Sequence, residues 1–476
     1  MWRLRACCRL LAVVTLAIAG TASARTAHED TLFFGRFGKI SLYSGTGAPA
    51  HVVLFVSGDG GWNKGVVDVA RELASASSLV VGVDIVHYLR ELRASSEECV
   101  YPAADFEALS KFVQKKLDFP TYITPVLVGY SSGATLVYAI LVEAPSNTFR
   151  GGVSLGFCPD LDLDKPLCRG SGLEWDPGVK GKGVVFRPAS RLEVPWIALQ
   201  GTADQVCDPP STEEFVRRIV NGEIVLLPKV GHGFSVQKNW MPQFEQAFGR
   251  LVENRATQPV APPEGELNDL PLVEVPATAA AGDSTQARTL GVLLTGDGGF
   301  GVTDRGIAQS LAAHGIPVVA LNSLHYFWTR RTPDSASADL GRILAHYTAA
   351  WKKDRAVVVG YSLGADVLPF MVNRLSPGPR ASVRLLVFLG LSGEADFEFH
   401  LTDWLGGGKH ETSLPVTPEL EKLRGSRMLC FYGTHDEDSV CRHLDTALAT
   451  AFPIPGGHRF GGNYAPIAAA ILQALK

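Results

Sequence analysis

Short apolar runs alternate with stretches of helical periodicity along this chain, and the alternation occurs twice in the same order. In the first half, 39–43, 51–56 and 80–84 read as strands, because β-branched and aliphatic residues run together between turn residues. The stretch 66–74 puts Val66, Val67, Ala70 and Leu73 on one helical face. A second amphipathic helix is predicted over 105–117, and the apolar run 125–128 leads into a helix over 134–142. The second half repeats this with strands at 290–294, 317–321 and 356–359 and helices at 307–313 and 339–351, after a first strand within 270–275. Apolar strands separated by helices predict α/β architecture, with two tandem domains that each hold a mostly parallel sheet flanked by helices.

The repetition, more than the length of 476 residues, sets the expected organisation: a first domain over 28–252, a Pro-containing linker over 253–266 and a second domain over 267–476. The first 24 residues stand apart. Arg3, Arg5 and Arg9 precede an apolar run over 10–18 that is too short to span a bilayer, and Ala22-Ser-Ala24 offers a small-residue cleavage site. This pattern predicts a cleavable signal peptide and export. Two of the eight cysteines fall within it. The other six, Cys99, Cys158, Cys168, Cys207, Cys430 and Cys441, suit disulfides in an exported protein. Cys430 and Cys441, close together in one strand-plus-loop segment, are the expected pair, while the pairing of the other four stays open. Neither Cys-x-x-Cys nor a His-rich spacing supports a metal site. Nor does a net charge of −4 suggest a nucleic-acid partner.

Candidate chemistry lies at the repeated motifs. Gly129-Tyr-Ser-Ser-Gly133 and Gly360-Tyr-Ser-Leu-Gly364 each follow an apolar run, as a nucleophile elbow does. In each half a strand then ends in Gly-Thr-x-Asp, at Asp204 and Asp436, and a Gly-preceded histidine follows, at His232 and His458. The order Ser, Asp, His is that of α/β-hydrolases. A serine hydroxyl needs an imidazole base, which a carboxylate holds in one tautomer. The expected triads are therefore Ser131, Asp204, His232 and Ser362, Asp436, His458, with Asp438 a competitor for Asp436. No cofactor is called for. Ser57-Gly-Asp-Gly-Gly-Trp62 and Thr295-Gly-Asp-Gly-Gly-Phe300 sit where this fold places oxyanion donors. Gly60, Gly61, Trp62 and Ser132, with Gly298, Gly299, Phe300 and Leu363, are the expected oxyanion and substrate-loop residues. Asp59 and Asp297 either shape that loop or meet substrate. His87 and His325, at the ends of matching strands, read as packing residues more than as substrate contacts. A variable stretch precedes each Asp strand, at about 159–193 and 393–425. In the second copy Glu394, Asp396, Glu398 and Asp403 stand near Phe397, Phe399 and Trp404, a mixture that suits a cationic amine or, equally, a solvated loop with a few core aromatics.

With these motifs, and with Gly156-Phe-Cys-Pro-Asp-Leu161, the chain resembles the VirJ/AcvB family of bacterial virulence proteins over nearly all of its length past the leader. The duplication resembles the longer AcvB type, and Tyr326-Phe-Trp328 with Arg331-Thr-Pro333 makes the second half similar to the single-domain VirJ type. The resemblance implies a periplasmic serine hydrolase that removes the aminoacyl group from aminoacylated phosphatidylglycerol, lysyl or alanyl. Ser362, Asp436 and His458 would be the working triad. It also implies a membrane phospholipid as substrate and transient contact with secretion-system proteins. Asp297, Tyr326, Trp328 and Arg331 are the expected substrate contacts, with arginine pairing the lipid phosphate and the aromatics entering the bilayer interface, unless Phe327 and Trp328 simply pack under the variable stretch. The alternatives are a carboxylesterase or peptidase for a soluble substrate, and a non-enzymatic secretion factor on a hydrolase scaffold.

Overall fold

A computed structural model describes residues 28–170, 172–178, 181–253, 267–281, 283–400 and 412–476. The expected leader, and all of the expected linker but Glu253, lie outside the described residues. So do Asp403 and Trp404. Two large sheets organise the rest. In spatial order the first holds His28–Phe34, Gly38–Ser44, Ser78–Val83, His51–Val56, Val126–Tyr130, Gly151–Leu155, Arg191–Gly201 and Val220–Leu227. The second holds Leu272–Val275, Val318–Leu321, Thr289–Leu294, Arg355–Tyr361, Val383–Leu389, Met428–Gly433 and Thr450–Ile454. Strand for strand the connectivity is the same, except that the first sheet has one further edge strand. Pairing is antiparallel only at that edge and parallel across the rest of each sheet. This is the expected α/β class.

The apolar runs become central strands because both of their faces are covered. Val52 to Val56 and Leu290 to Leu294 are almost wholly buried. In the first half, helices Lys64–Ser75 and Met241–Glu253 pack Val66, Val69, Leu73, Phe244 and Phe248 on one face of the sheet. Pro102–Lys116 and Ser132–Glu143 cover the other with Phe106, Leu109, Leu136 and Ile140. In the second half, Val302–Ala312 and Ala465–Leu475 cover one face, and Pro333–Ala350 and Leu363–Asn373 the other.

The end of the strand expected over 80–84 differs from the sequence reading in a way that moves a site candidate. The Asp84 side chain accepts the N–H groups of Val86 and His87, which ends the strand at Val83 and starts a helix at Ile85. His87 is thus in a first helical turn, not at a strand end. Asn322 does the same for the short helix Ser323–Tyr326, which carries His325. His325 is half-buried against Tyr122, and desolvation pushes its imidazole down to about 4, so it packs as a neutral group.

Tyr122, Leu324, Trp328 and Phe399 form a small apolar cluster that joins the two halves. Among the described residues three disulfides tie the fold. Cys430 and Cys441 are bonded, as expected, and the other pairs are Cys99–Cys168 and Cys158–Cys207. No helix among the described residues is long and apolar enough to cross a membrane. Replacing both Cys430 and Cys441 by alanine is expected to destabilise the second half by about 2–3 kcal/mol through the freed chain entropy of its unfolded state. Urea unfolding without reductant measures this, and an unchanged midpoint would contradict it.

Candidate active sites

Each elbow is a strand that turns into a helix within one residue. Ser131 and Ser362 both take a left-handed backbone, with φ of 54° and 52°. A non-glycine residue holds that conformation only where its surroundings over-determine it. The flanking glycines allow the crossing. A Cβ on Gly133 would lie 2.3 Å from the Ser57 carbonyl oxygen, and one on Gly364 would lie 2.2 Å from that of Leu294. Only with glycine there can the nucleophile helix run this close to the neighbouring strand.

In the first half the Ser131 Oγ lies 3.0 Å from His232 Nε2, and His232 Nδ1 lies 2.9 Å from Asp204 Oδ2. Asp204 also accepts the N–H groups of Val206 and Cys207 on Oδ1 and the Gln200 amide on Oδ2. Burial pushes its carboxyl up, but the Cys207 N–H, the His232 imidazole and the Val206 N–H outweigh that and bring it below the ordinary carboxylate value. The donor atoms of Asp204, Cys207 and His232 are mutually close enough for a metal. Their chemistry does not fit one, since the Cys207 sulfur is bonded to Cys158 and the other two hold each other.

The second half places His458 Nδ1 2.9 Å from Asp436 Oδ2, which selects Asp436 over Asp438 as the partner. Among the described residues Ser362 Oγ makes no hydrogen bond to His458. The second triad is also more open: the His458 side chain is 41% exposed, against 16% for His232. Tyr130 and Tyr361, one residue before each serine, tilt their rings against the histidines and donate their hydroxyls to the histidine carbonyls.

The Gly-rich loops correct part of the donor assignment. Gly61 donates its N–H to Gly58, Trp62 to Asp84, and Gly299 to Gly296. These three N–H groups are spent on the loop itself and cannot hold an oxyanion. Among the expected residues, the N–H groups of Gly60 and Ser132 in the first half and of Gly298, Phe300 and Leu363 in the second are not taken up by such bonds. Trp62 packs on Phe55 and hydrogen-bonds Tyr43, and Phe300 is buried. Asp59 accepts the Ser132 hydroxyl at 2.6 Å and so shapes the first loop. Asp304, which sequence reading passed over, does this for the second by accepting from Gly296 and Gly301 at 3.2 Å each.

The second site opens into a cavity of about 180 Å³ with Ser362, Leu363, Phe399 and His400 in its wall. Five carboxyl groups line it: Asp297, Asp366, Glu394, Asp396 and Glu398. Asp297 thus lines the same cavity as Ser362. Burial pushes Asp366 well above the ordinary carboxylate range, against the Ser392 N–H that it accepts at 2.7 Å. Its one sequence signal was an acid in an otherwise apolar helix.

The other expected substrate contacts are corrected. Tyr326 is buried, with its hydroxyl donated to Asp339. Trp328 is buried between the halves, with its indole N–H donated to the Phe119 carbonyl 2.8 Å away. Arg331 lies over the Tyr326 ring and donates to the Tyr326 carbonyl. Neither aromatic can enter a lipid interface, and the arginine is engaged within its own half.

The family described as "Bacterial virulence protein (VirJ)" matches residues 50–152 and 288–476, more than half of the chain. No curated protein matches it. Among solved structures, the esterase domain of a Rhodothermus marinus protein is 16% identical, with a TM-score of 0.32 over 47% of this chain and 98% of that one. An α/β serine hydrolase without a lid from Xanthomonas campestris is 18% identical, with a TM-score of 0.30 over 48% and 93%. Est1E from Butyrivibrio proteoclasticus is 11% identical, with a TM-score of 0.30 over 48% of this chain and 98% of that one.

Asp304 is expected to make the stability of the second loop depend on pH. Burial pushes its carboxyl up to about 7 from an ordinary 3.8. The folded protein keeps this proton in a range where the unfolded chain has lost it. The resulting stability is complete below the unfolded value and is lost as pH rises towards 7. Asp304→Asn cannot ionise, so its thermal midpoint relative to wild type is expected to climb between about pH 5 and pH 8. A constant offset over that range would refute this role for Asp304.

Proposed function

Since the chain belongs to the VirJ family of bacterial virulence proteins, we propose that it is an exported serine esterase that hydrolyses the aminoacyl ester of aminoacylated phosphatidylglycerol, with the lysyl form as the preferred substrate of the Ser362 site. The observation that carries this reading is the acid-lined cavity at Ser362. A lysyl group brings two ammonium charges, and acidic groups beside an aromatic wall attract cations. The cavity has room for an aminoacyl group, which leaves the lipid tails outside it. The three disulfides suit an exported protein, and the leader-like N-terminus points to the periplasm.

His458 removes the Ser362 proton as Oγ attacks the aminoacyl carbonyl, and Asp436 holds the imidazole and stabilises its cation. The N–H groups of Gly298 and Leu363 take the oxyanion. Collapse of the tetrahedral intermediate breaks the ester bond, and the proton on His458 passes to the departing phosphatidylglycerol hydroxyl. Water, deprotonated by the same histidine, then releases the free amino acid and restores the serine. The open contact between Ser362 and His458 closes when substrate arrives, as catalytic hydrogen bonds often tighten only in the complex.

The completed Ser131–His232–Asp204 chain supports a second competent site in the first half. It contributes a minor activity. Ser362→Ala is expected to lower release of lysine from lysyl-phosphatidylglycerol vesicles on the order of 10³-fold or more, down to the level of the first site. Ser131→Ala is expected to leave most of the activity. If Ser131→Ala is the more damaging change, the assignment of labour between the sites is reversed. If wild-type protein releases no amino acid from either lysyl- or alanyl-phosphatidylglycerol, the substrate reading falls.

A further inference from the structure

The acidic wall of the Ser362 cavity is the segment 394–400, and it is held from outside its own half. Within the half, the Phe399 N–H donates to the Phe327 carbonyl at 2.7 Å, and the Arg331 N–H donates to the Phe397 carbonyl at 2.8 Å. The wall is thus laced to 327–331. That second segment is in turn anchored on the first half. The Trp328 indole donates to the Phe119 carbonyl, and its ring packs on Tyr122, 5.1 Å away between centroids. On its other side Trp328 stacks on Phe399, with centroids 5.5 Å apart and planes 19° off parallel. Lys115 of the first half donates to the Trp328 carbonyl at 2.5 Å, and its ammonium lies 3.4 Å from Glu398.

A second contact reaches the other side of the same site. Asn147, in a left-handed turn of the first half, donates its amide to the Phe300 carbonyl at 3.0 Å, within the Gly-rich loop that carries Gly298. Arg459, next to His458, is close enough to Tyr101 of the first half for its charge to oppose the burial that pushes that phenol up to about 12. The two halves meet around the second active site, not away from it.

We propose that the first half is a structural part of the Ser362 site. Its Lys115, Phe119 and Tyr122 hold the acidic wall, its Asn147 holds the Gly-rich loop, and these positioning residues set the site's preference for a cationic acyl group without touching the reacting atoms. The selectivity part of this inference rests on the function proposed above. The positional part does not. A single rigid wall matters because carboxylates attract a cation best when they are already gathered at fixed positions, with no ordering left to be done on binding.

The test uses the full chain and two kinds of measurement. Tyr122→Ala removes the first-half ring from Trp328 without changing charge, Tyr122→Phe keeps the ring, and Asn147→Gly keeps the turn while removing the amide. Hydrogen exchange is followed over 394–400 and 297–301. In parallel, kcat and KM are measured for the p-nitrophenyl esters of lysine and norleucine, which differ in the side-chain ammonium, with Ser131→Ala silencing the first site. Tyr122→Ala is expected to speed exchange of 394–400, and to raise KM for the lysine ester roughly three- to tenfold with kcat within about twofold and the norleucine KM little changed. Asn147→Gly is expected to speed exchange of 297–301, and Tyr122→Phe to behave as wild type. Unchanged exchange in both Tyr122→Ala and Asn147→Gly overturns the inference whatever the substrate. An equal change in KM for both esters, or a fall in kcat alone, overturns its selectivity part. Lack of any preference for the lysine ester in the Ser131→Ala parent instead refutes the cationic-substrate reading, and the exchange data still decide whether the first half positions the site.

Discussion

Everything at the two sites depends on a serine held at positive φ where a strand becomes a helix. The strain is tolerable because the turn is clamped on all sides. The Ser131 N–H donates to Leu155 and the Ser362 N–H to Leu389, each on the adjacent strand. The glycines on either side let two backbones come closer than any side chain would allow. Once the elbow is in place, geometry does the rest. The hydroxyl stands at the carboxyl end of the sheet, and the loops after the following strands carry the acid and the base. Both halves repeat this construction, because it follows from the order of strands and not from the surface around it.

What differs between the halves is electrostatic. The first triad is closed and shielded, with Asp204 accepting from four donors. The second is more exposed and faces a group of carboxyls gathered from the Gly-rich loop, the nucleophile helix and the variable stretch. One of these, Asp366, is driven towards its neutral form by burial, which lowers the repulsion that so many acids in a small volume would otherwise create. Carboxylates gathered at fixed positions attract cations in general, a property that a Ser-His-Asp arrangement alone does not confer.

The junction between the halves ties these two observations together. The aromatic run at 326–328 is buried, and its tryptophan is shared between the halves. The duplication therefore did more than supply a second copy of a site. It brought one copy against the wall of the other, where a helix, a loop carbonyl and an asparagine of the first half meet the elements that shape the second cavity.

The periodicity of apolar residues by itself determined the alternating strands and helices, their parallel arrangement and the duplication, since each of these is written locally. The hydrogen-bonded Ser131, His232 and Asp204, and the His458–Asp436 pair, were legible for the same reason: an elbow, a strand end and a histidine after glycine each carry a short-range signature. The Cys430–Cys441 pair was legible too, as both lie in one segment. Tertiary structure alone decided the other two disulfides, whose partners come together only through strand order. It also decided which N–H groups of the Gly-rich loops stay free, because Gly58, Gly296 and Asp84 claim some of them. Above all it decided the fate of Tyr326, Trp328 and Arg331. An aromatic and basic run looks the same in sequence whether it faces a membrane or a neighbouring domain, and only the packing of Trp328 between Tyr122 and Phe399 distinguishes the two.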